Sequence, residues 1–116
     1  DHVNAHGTST PENDKMEFVA LRAVMGERIA ELPITSNKSQ LGHTLIAAGS
    51  VEAVIALMTM RAGMIPPTIN HDDSDPELGL DVVANAARPA QVRTVLSNSF
   101  GFGGQNVCLV LAAEPT

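Results

Sequence analysis

The spacing of apolar residues near the start of the chain predicts an amphipathic helix over Pro11–Met25. Its inward face is expected to comprise Phe18, Leu21, Val24 and Met25. Thr10 provides an N-cap hydroxyl, Pro11 suits the first helical position, and Gly26 provides a stop. A short apolar strand at residues 3–5 is expected to lead into this helix through a polar turn.

A second apolar segment predicts a helix that begins near His43 and continues to Arg61, where Gly63 ends it. Because the segment is apolar nearly all round, we expect it to be buried on most faces and central in the fold. Residues 44–60 approach the length of a membrane span, yet Glu52 lies at their centre. A buried helix of a soluble protein is therefore favoured.

Short apolar or β-branched segments around these helices predict strands. They are expected at residues 3–5, 33–36, 81–84, 93–97 and Asn106–Ala112. A polar loop is expected at residues 37–42 and an acidic connector at residues 71–77. Strand, helix, strand, helix and a terminal hairpin indicate one α/β domain, with a mixed sheet covered by helices.

Composition narrows the classes of function. Hydrophobic residues make up 44% of the 116 positions and aromatic residues 3%, enough for one core of aliphatic side chains. The formal net charge of −6, with its lysines and arginines scattered, argues against nucleic acid binding. His2 and His71 belong to no pattern and are expected at the surface.

The single cysteine, Cys108, lies in an apolar run and is expected to be a core thiol and not a nucleophile. One cysteine excludes an intrachain disulfide framework, and no residues have metal-ligand spacing, so a cytoplasmic setting is expected. The first residues carry no signal-peptide pattern and no initiator Met, so the chain is expected to begin within a longer protein.

Three polar or glycine-rich loops, at residues 4–11, 37–43 and 98–104, are the candidates for chemistry. Each follows or ends a predicted strand, and ligands of α/β folds bind beyond the carboxyl ends of strands. The loops are therefore expected to converge on one site. The last loop lacks the GxGxxG spacing of a dinucleotide fingerprint, and the chain contains no G-x-S-x-G elbow of a serine hydrolase.

Charged and titratable residues in these loops have both structural and functional interpretations. His6 is either a strand-end histidine bonded to backbone or a functional group, and Lys38 alone is an ordinary solvated lysine. His43 is expected at a helix N-terminus, where the dipole lowers its pKa and keeps the imidazole neutral. Glu52 in an apolar helix needs a partner, for which Lys38 is the nearest candidate.

Together the loops resemble the C-terminal portion of β-ketoacyl-acyl-carrier-protein synthases. The family motif His-Gly-Thr-x-Thr-x-x-x-Asp is present as His6, Gly7, Thr8, Thr10 and Asp14. Lys-Ser-x-x-Gly-His is present at residues 38–43 and Asn-Ser-Phe-Gly-Phe-Gly-Gly at residues 98–104. The resemblance implies a thiolase-like fold, in which this chain forms part of the C-terminal half of a duplicated five-layered αβαβα arrangement.

By this resemblance the activity is the decarboxylating Claisen condensation of malonyl-carrier protein with an acyl thioester in fatty acid elongation. The implied catalytic residues are His6, His43 and Lys38, with Glu52 and Asp14 in supporting roles. The implied substrate-binding residues are Thr8, Thr10, Phe100 and Phe102. No cofactor is implied, because phosphopantetheine arrives on the carrier protein.

The resemblance also implies partners and exposes two departures. The partners are acyl carrier protein, the N-terminal half of the same enzyme and a second copy in a homodimer. A structural cation is implied near Asn4, Glu52, Asn98 and Ser99. Ile46 replaces a family glycine, and the family's nucleophilic cysteine is absent, so the chain alone is expected to be inactive. A polyketide ketosynthase segment and a noncatalytic partner subunit are the alternatives.

Overall fold

The computed structural model describes residues 1–114, which form seven strands and three α-helices. In chain order these are β1 (His2–Asn4), α1 (Pro11–Met25), β2 (Pro33–Thr35), α2 (Lys38–Leu41), α3 (Ala48–Ala62), β3 (Met64–Ile65), β4 (Asp81–Val82), β5 (Arg88–Pro89), β6 (Thr94–Phe100) and β7 (Asn106–Ala112). Turns of 3-10 helix follow α1 at Gly26–Glu31 and precede α3 at Leu45–Ala47.

The main sheet has five strands in the order β4-β2-β1-β6-β7. All neighbours are parallel except β6 and β7, which form the terminal antiparallel hairpin. β1 lies at the centre, where Val3 is paired with Ile34 on one side and with Leu96 on the other. The predicted mixed sheet is confirmed. The small antiparallel pair of β3 and β5 was not predicted, because each strand has only two residues.

Helix α1 has the predicted bounds, but the capping of its N-terminus and the width of its buried face differ from expectation. Gly26 ends it at a φ of 59°, and its N–H donates to the carbonyl of Arg22. Thr10 makes no side-chain cap, because its hydroxyl lies 3.1 Å from that of Thr8 instead. Val24 is 78% exposed, so the buried face is narrower than the apolar spacing indicated.

The two faces of the sheet carry two separate cores, because successive side chains of a strand point to opposite faces. On one face α1 packs with Phe18 and Leu21 against residues that include Leu96 of β6. On the other face Ala56 of α3 packs in a cluster with Val95 of β6. Helices thus cover both faces of the sheet, as predicted.

Helix α3 begins at Ala48, later than predicted, and ends as predicted at Gly63, whose φ of 64° is left-handed. The expected loop at residues 37–42 instead contains the short helix α2. Only one stripe of α3 is buried, namely Ala48, Glu52, Ala56 and Thr59. Four of its other apolar side chains, Val51, Val54, Leu57 and Met58, are exposed, so burial on most faces is not achieved within this chain.

Within residues 1–114 one helical stretch, Leu45–Ala62, is long and apolar enough to cross a membrane by length and composition alone. This is weak evidence, since core helices of soluble proteins pass the same test.

Two further expectations about burial are wrong. His2 is 2% exposed, because β1 is the central strand, and its Nε2 forms a 2.8 Å hydrogen bond with the Thr35 hydroxyl. Cys108 is exposed, because the hydrophobic clusters on the two faces of the sheet reach only Leu111 of β7. Partial burial and the Glu17 carboxylate raise the pKa of the Cys108 thiol, so the expectation that it is unactivated is consistent with its surroundings.

Candidate functional site

The three candidate loops meet at one edge of the sheet, as predicted. They extend from the carboxyl ends of β1, β2 and β6, which are parallel neighbours. The rings of His6 and His43 meet edge to face with their centroids 5.5 Å apart. The Phe100 ring lies 5.6 Å from that of His6. A cavity of about 610 Å³ adjoins these loops and is lined in part by Thr8, Lys38 and His43.

His43 is held by the backbone that follows it. The N–H of Leu45 donates to Nδ1 of His43 at 3.1 Å, so in the neutral ring the proton is on Nε2, which is left as a donor. Leu45 has a φ of 55°, a left-handed conformation that is strained for a leucine. His43 lies two residues before the 3-10 turn at Leu45–Ala47 that leads into α3, and the expected role of a helix dipole stays a prediction.

His6 is buried in surroundings that disfavour its charged form. Burial is the main reason that its pKa is lowered, followed by the positive charge of Lys38, while Glu17 raises it and His43 lowers it further. Nδ1 of His6 has no hydrogen-bond partner among residues 1–114. The structure therefore brings His6, whose charged form is disfavoured, into contact with His43 at the cavity that His43 lines, a combination suited to stabilising an oxyanion.

Lys38 and Glu52 form the predicted pair. Nζ of Lys38 lies 2.5 Å from Oε1 of Glu52, and the two side chains are only 6% and 3% exposed. The other carboxylate oxygen of Glu52 is buried without a partner among the described residues. The ordinary solvated interpretation of Lys38 is therefore wrong, since this lysine is enclosed next to the histidines.

The turn after His6 requires glycine. Gly7 has a φ of 46°, and a Cβ at this position would lie 2.6 Å from Cβ of Ser36. The Ser36 hydroxyl also donates to the Gly7 carbonyl at 2.6 Å. Left-handed backbone and close approach of β2 therefore both exclude a side chain here.

Glu17 was missed by the sequence analysis. It is 4% exposed, and its Oε1 accepts hydrogen bonds from the N–H of His6 at 2.9 Å and from Nδ2 of Asn98 at 3.0 Å. Its Oε2 accepts from the N–H of Gly7 at 3.0 Å. The available signal was an acidic residue on the apolar face of a helix, directly before Phe18, because a carboxylate placed there must find donors.

The remaining predicted residues lie at the rim. Thr8 and Asp14 line the cavity, and Asp14 is exposed. Phe102 is fully exposed at the tip of the β6–β7 hairpin, so the two phenylalanines do not share one environment. Ile46, which stands where the family has a glycine, is also fully exposed within the described chain.

The residues expected near a structural cation lie on both faces of the sheet. Asn98 points to the α1 face of the sheet, where it donates to Glu17. Ser99 lies on the α3 face, 3.5 Å from the Cβ position of Gly49. Oε2 of Glu52 is buried without a partner among the described residues, and residues 1–114 contain no cluster of three or more His, Cys, Asp or Glu side chains placed to bind metal. The cation stays a prediction, although Asn98 is turned away from the face that carries Ser99 and Glu52.

Comparison with known proteins agrees with this geometry. Residues 1–72 match the family model described as beta-ketoacyl synthase, C-terminal domain. A 3-oxoacyl-[acyl-carrier-protein] synthase 2 of Coxiella burnetii is 47% identical over 112 residues, covering 97% of this chain and 27% of that protein. The tetracenomycin polyketide synthase ketoacyl synthase alpha subunit of Streptomyces glaucescens is 44% identical over 111 residues. The match covers 96% of this chain and 26% of that protein.

Solved structures are similar over the same extent. The ishigamide ketosynthase/chain length factor superposes with a TM-score of 0.93 at 43% identity, covering 99% of this chain and 28% of that one. A type II polyketide acyl-carrier protein in complex with its ketosynthase superposes with a TM-score of 0.93 at 36% identity. The match covers 97% of this chain and 28% of that one. The thiolase-like fold is thereby confirmed, and the chain spans about a quarter of the length of these relatives.

Proposed function

This chain belongs to the β-ketoacyl synthase family as part of its C-terminal domain, and we propose that it supplies the malonyl-binding part of a condensing enzyme's active site. The observation that carries the proposal is the 5.5 Å edge-to-face contact of His6 and His43 beside the cavity. The substrate is a malonyl thioester on acyl carrier protein, and the other reactant is an acyl thioester.

In the proposed reaction the two histidines bind the oxygen of the malonyl thioester. The bond to the carboxylate breaks, carbon dioxide leaves, and the electron pair forms an enolate whose oxygen accepts hydrogen bonds from both rings. The enolate carbon attacks the acyl thioester on a cysteine outside this chain, and the sulfur leaves as thiolate. Each positioned donor is worth about 3 kcal/mol in such a site.

Lys38 and Glu52 support these histidines through charge. The ammonium of Lys38 is the second cause, after burial, that lowers the pKa of His6. It therefore helps to keep the ring neutral, which suits a hydrogen-bond donor to a developing oxyanion. Glu52 holds the ammonium in place at 2.5 Å, so that the charge acts from one position.

The rim residues bind the arriving arm in this proposal. Thr8 and Thr10 offer exposed hydroxyls 3.1 Å apart to the phosphopantetheine of the carrier protein, and Asp14 shares the rim. Phe100 packs on His6, and Phe102 contacts the acyl end of the reaction as part of a gate. No cofactor resident in this chain is needed.

We propose that the N-terminal half of the same enzyme covers the exposed apolar side of α3 and supplies the cysteine. Val54 and Leu57 are each more than half exposed there. The complete enzyme would act as a cytoplasmic homodimer that receives acyl carrier protein. Fatty acid elongation is favoured by the similarity to the synthase of Coxiella burnetii.

A polyketide ketosynthase is the second candidate. It is favoured by the 44% identity to the tetracenomycin subunit and by the ishigamide and carrier-bound ketosynthase structures. A noncatalytic partner subunit is disfavoured, because His6, His43 and Lys38 are all retained and brought together. Comparing turnover of simple acyl and β-ketoacyl carrier substrates separates elongation of fatty acids from that of polyketides.

The test measures carbon dioxide release from malonyl-carrier protein by the enzyme that contains this chain. His6→Ala and His43→Ala are expected to abolish release while acylation of the cysteine persists. Glu12→Gln, at an exposed position of α1 that does not line the cavity, serves as the control and is expected to leave release unchanged. Full activity in both site variants would overturn the assignment.

A further inference from the structure

We infer that Asn85 is a positioning residue that holds the acidic connector, residues 71–77, as one wall of the substrate cavity, an inference that rests on the proposed function of that cavity. The connector supplies four of the lining residues, namely His71, Asp73, Ser74 and Asp75. Thr8 and His43 line the same cavity. A substrate arm that passes Thr8 on its way to the histidines therefore runs beside the connector.

Asn85 binds the start of the connector in the way that a neighbouring strand would. Its Oδ1 accepts the N–H of His71 at 3.1 Å, and its Nδ2 donates to the carbonyl of the same residue at 2.6 Å. Its own N–H donates to the carbonyl of Thr68 at 2.8 Å. The backbone of Asn85 thus extends the parallel bridge between Thr68 and Ala84, and its side chain continues the pairing to His71.

An asparagine is well suited to this position. A neutral amide has both an acceptor and donors, so it can satisfy the N–H and the carbonyl of one residue at once. Asn85 also has a φ of 57°, a left-handed conformation that asparagine adopts more readily than most residues. A carboxylate here would keep the bond to the N–H of His71 but would set an oxygen against the His71 carbonyl.

The middle of the connector has no hydrogen bond to the rest of the described chain. The hydrogen bonds of residues 72–77 join them only to one another or to the two residues that flank them. After the connector, Leu78 and Leu80 pack against the core that α1 covers. The connector is thus held at its two ends, and Asn85 makes the hydrogen bonds at the His71 end.

Loss of these two bonds is expected to weaken substrate binding more than folding. Both bonds are exposed, so they contribute little to the free energy of unfolding. Without them the wall spends only part of the time in its binding position, and the apparent affinity falls by that fraction. His43 is held by the N–H of Leu45 and His6 follows β1, so the chemical step is expected to be retained once substrate is bound.

The experiment measures KM and kcat for malonyl decarboxylation by the enzyme that contains this chain. Asn85→Gly removes the side chain and tolerates the left-handed backbone. It is expected to raise KM for malonyl-carrier protein on the order of tenfold with kcat retained. Asn85→Asp, which loses the donor to the His71 carbonyl, is expected to raise KM as well.

Gly63→Ala is the control for a general loss of stability, because it strains a left-handed turn that does not line the cavity. It is expected to leave KM unchanged. An equal rise of KM in Gly63→Ala and Asn85→Gly would overturn the inference. A malonyl thioester of N-acetylcysteamine, which lacks the phosphate end of the arm, is expected to show the same KM in Asn85→Gly and in the parent enzyme.

The outcomes separate this inference from the proposed function. An unchanged KM in Asn85→Gly, or a lower kcat with KM retained, overturns the positioning role and leaves the proposed function standing where His6→Ala abolishes decarboxylation. If His6→Ala is fully active, the proposed function fails, and a selective rise of KM in Asn85→Gly still supports the wall held by Asn85.

Discussion

Lys38 and Glu52 are 2.5 Å apart in a nearly solvent-free pair that joins the segment after β2 to the middle of α3. The pair places a positive charge close enough to His6 to help lower its pKa. It therefore links the packing of α3 against the sheet to the protonation state of the candidate active site.

Breaking this pair is expected to be costly. Lys38→Met leaves a buried carboxylate without its cation and is expected to reduce the free energy of unfolding by about 3–5 kcal/mol. The double variant with Glu52→Leu is expected to recover most of this loss. The exposed pair Arg22–Glu27 provides the control, since Glu27→Gln is expected to change stability by less than about 1 kcal/mol. Urea unfolding measures the stability of the single, double and control variants. Equal losses of unfolding free energy in Lys38→Met and Glu27→Gln would contradict the prediction.

Gly7→Ala is expected to destabilise the protein more than Gly63→Ala. Both glycines have left-handed backbone, which costs a non-glycine residue about 1–2 kcal/mol. At Gly7 the added Cβ also meets Ser36 at 2.6 Å, whereas the nearest atom at Gly63 is 3.7 Å away. Overpacking adds about 1–3 kcal/mol at Gly7 alone. Thermal unfolding of the two variants tests the difference, and a similar loss in both would show that the turn can relax.

Acid is expected to destabilise the fold through His2. Its pKa is lowered from 6.5 to about 4, mainly by burial. The unfolded chain therefore binds a proton more readily, and stability falls as pH drops from 6.5 towards 4, by about 3 kcal/mol in total. Below that range this group contributes no further change. In His2→Phe this part of the pH dependence is expected to disappear from unfolding curves measured between pH 7 and pH 4.

The pKa of His6 is expected to rise when Lys38 is replaced. Burial and the Lys38 charge both lower it, so Lys38→Met removes one of the two main causes. The ring is then expected to gain its proton at a higher pH, seen as an upward shift in the NMR titration of its Cε1 proton. An unshifted His6 titration would show that Lys38 does not act on this ring.

The isolated chain is expected to self-associate. Val51, Val54, Leu57 and Met58 form an exposed apolar face on α3, and such faces mark interaction surfaces. Val54→Lys with Leu57→Glu is expected to reduce association measured by light scattering, and also to prevent reconstitution with the cysteine-bearing half. Glu12→Lys on α1 serves as the control. A monodisperse parent chain would contradict the prediction.

Local sequence patterns were sufficient to predict several of the helices and strands. The bounds of α1 and β7 follow from signals within a few residues of each end, such as Pro11 and Gly26. The motif loops were also found from sequence, since their glycine and polar composition is local. Thr10 and Val24 show the limit of this reasoning, because capping and burial depend on which neighbours the fold supplies.

The sequence by itself determined the family, the order of the main elements and the positions of the candidate residues His6, His43 and Lys38, because these are encoded in contiguous motifs. Tertiary structure decided the burial of His2, the exposure of Cys108 and the hydrogen bonds of Glu17. These depend on contacts between distant segments: Asn4 bonds to Ser97, 93 positions away, and Glu17 on α1 accepts from Asn98 on the face of the sheet that α1 covers. Contacts of such separation leave no periodic signal along the chain, so only the folded arrangement reveals them.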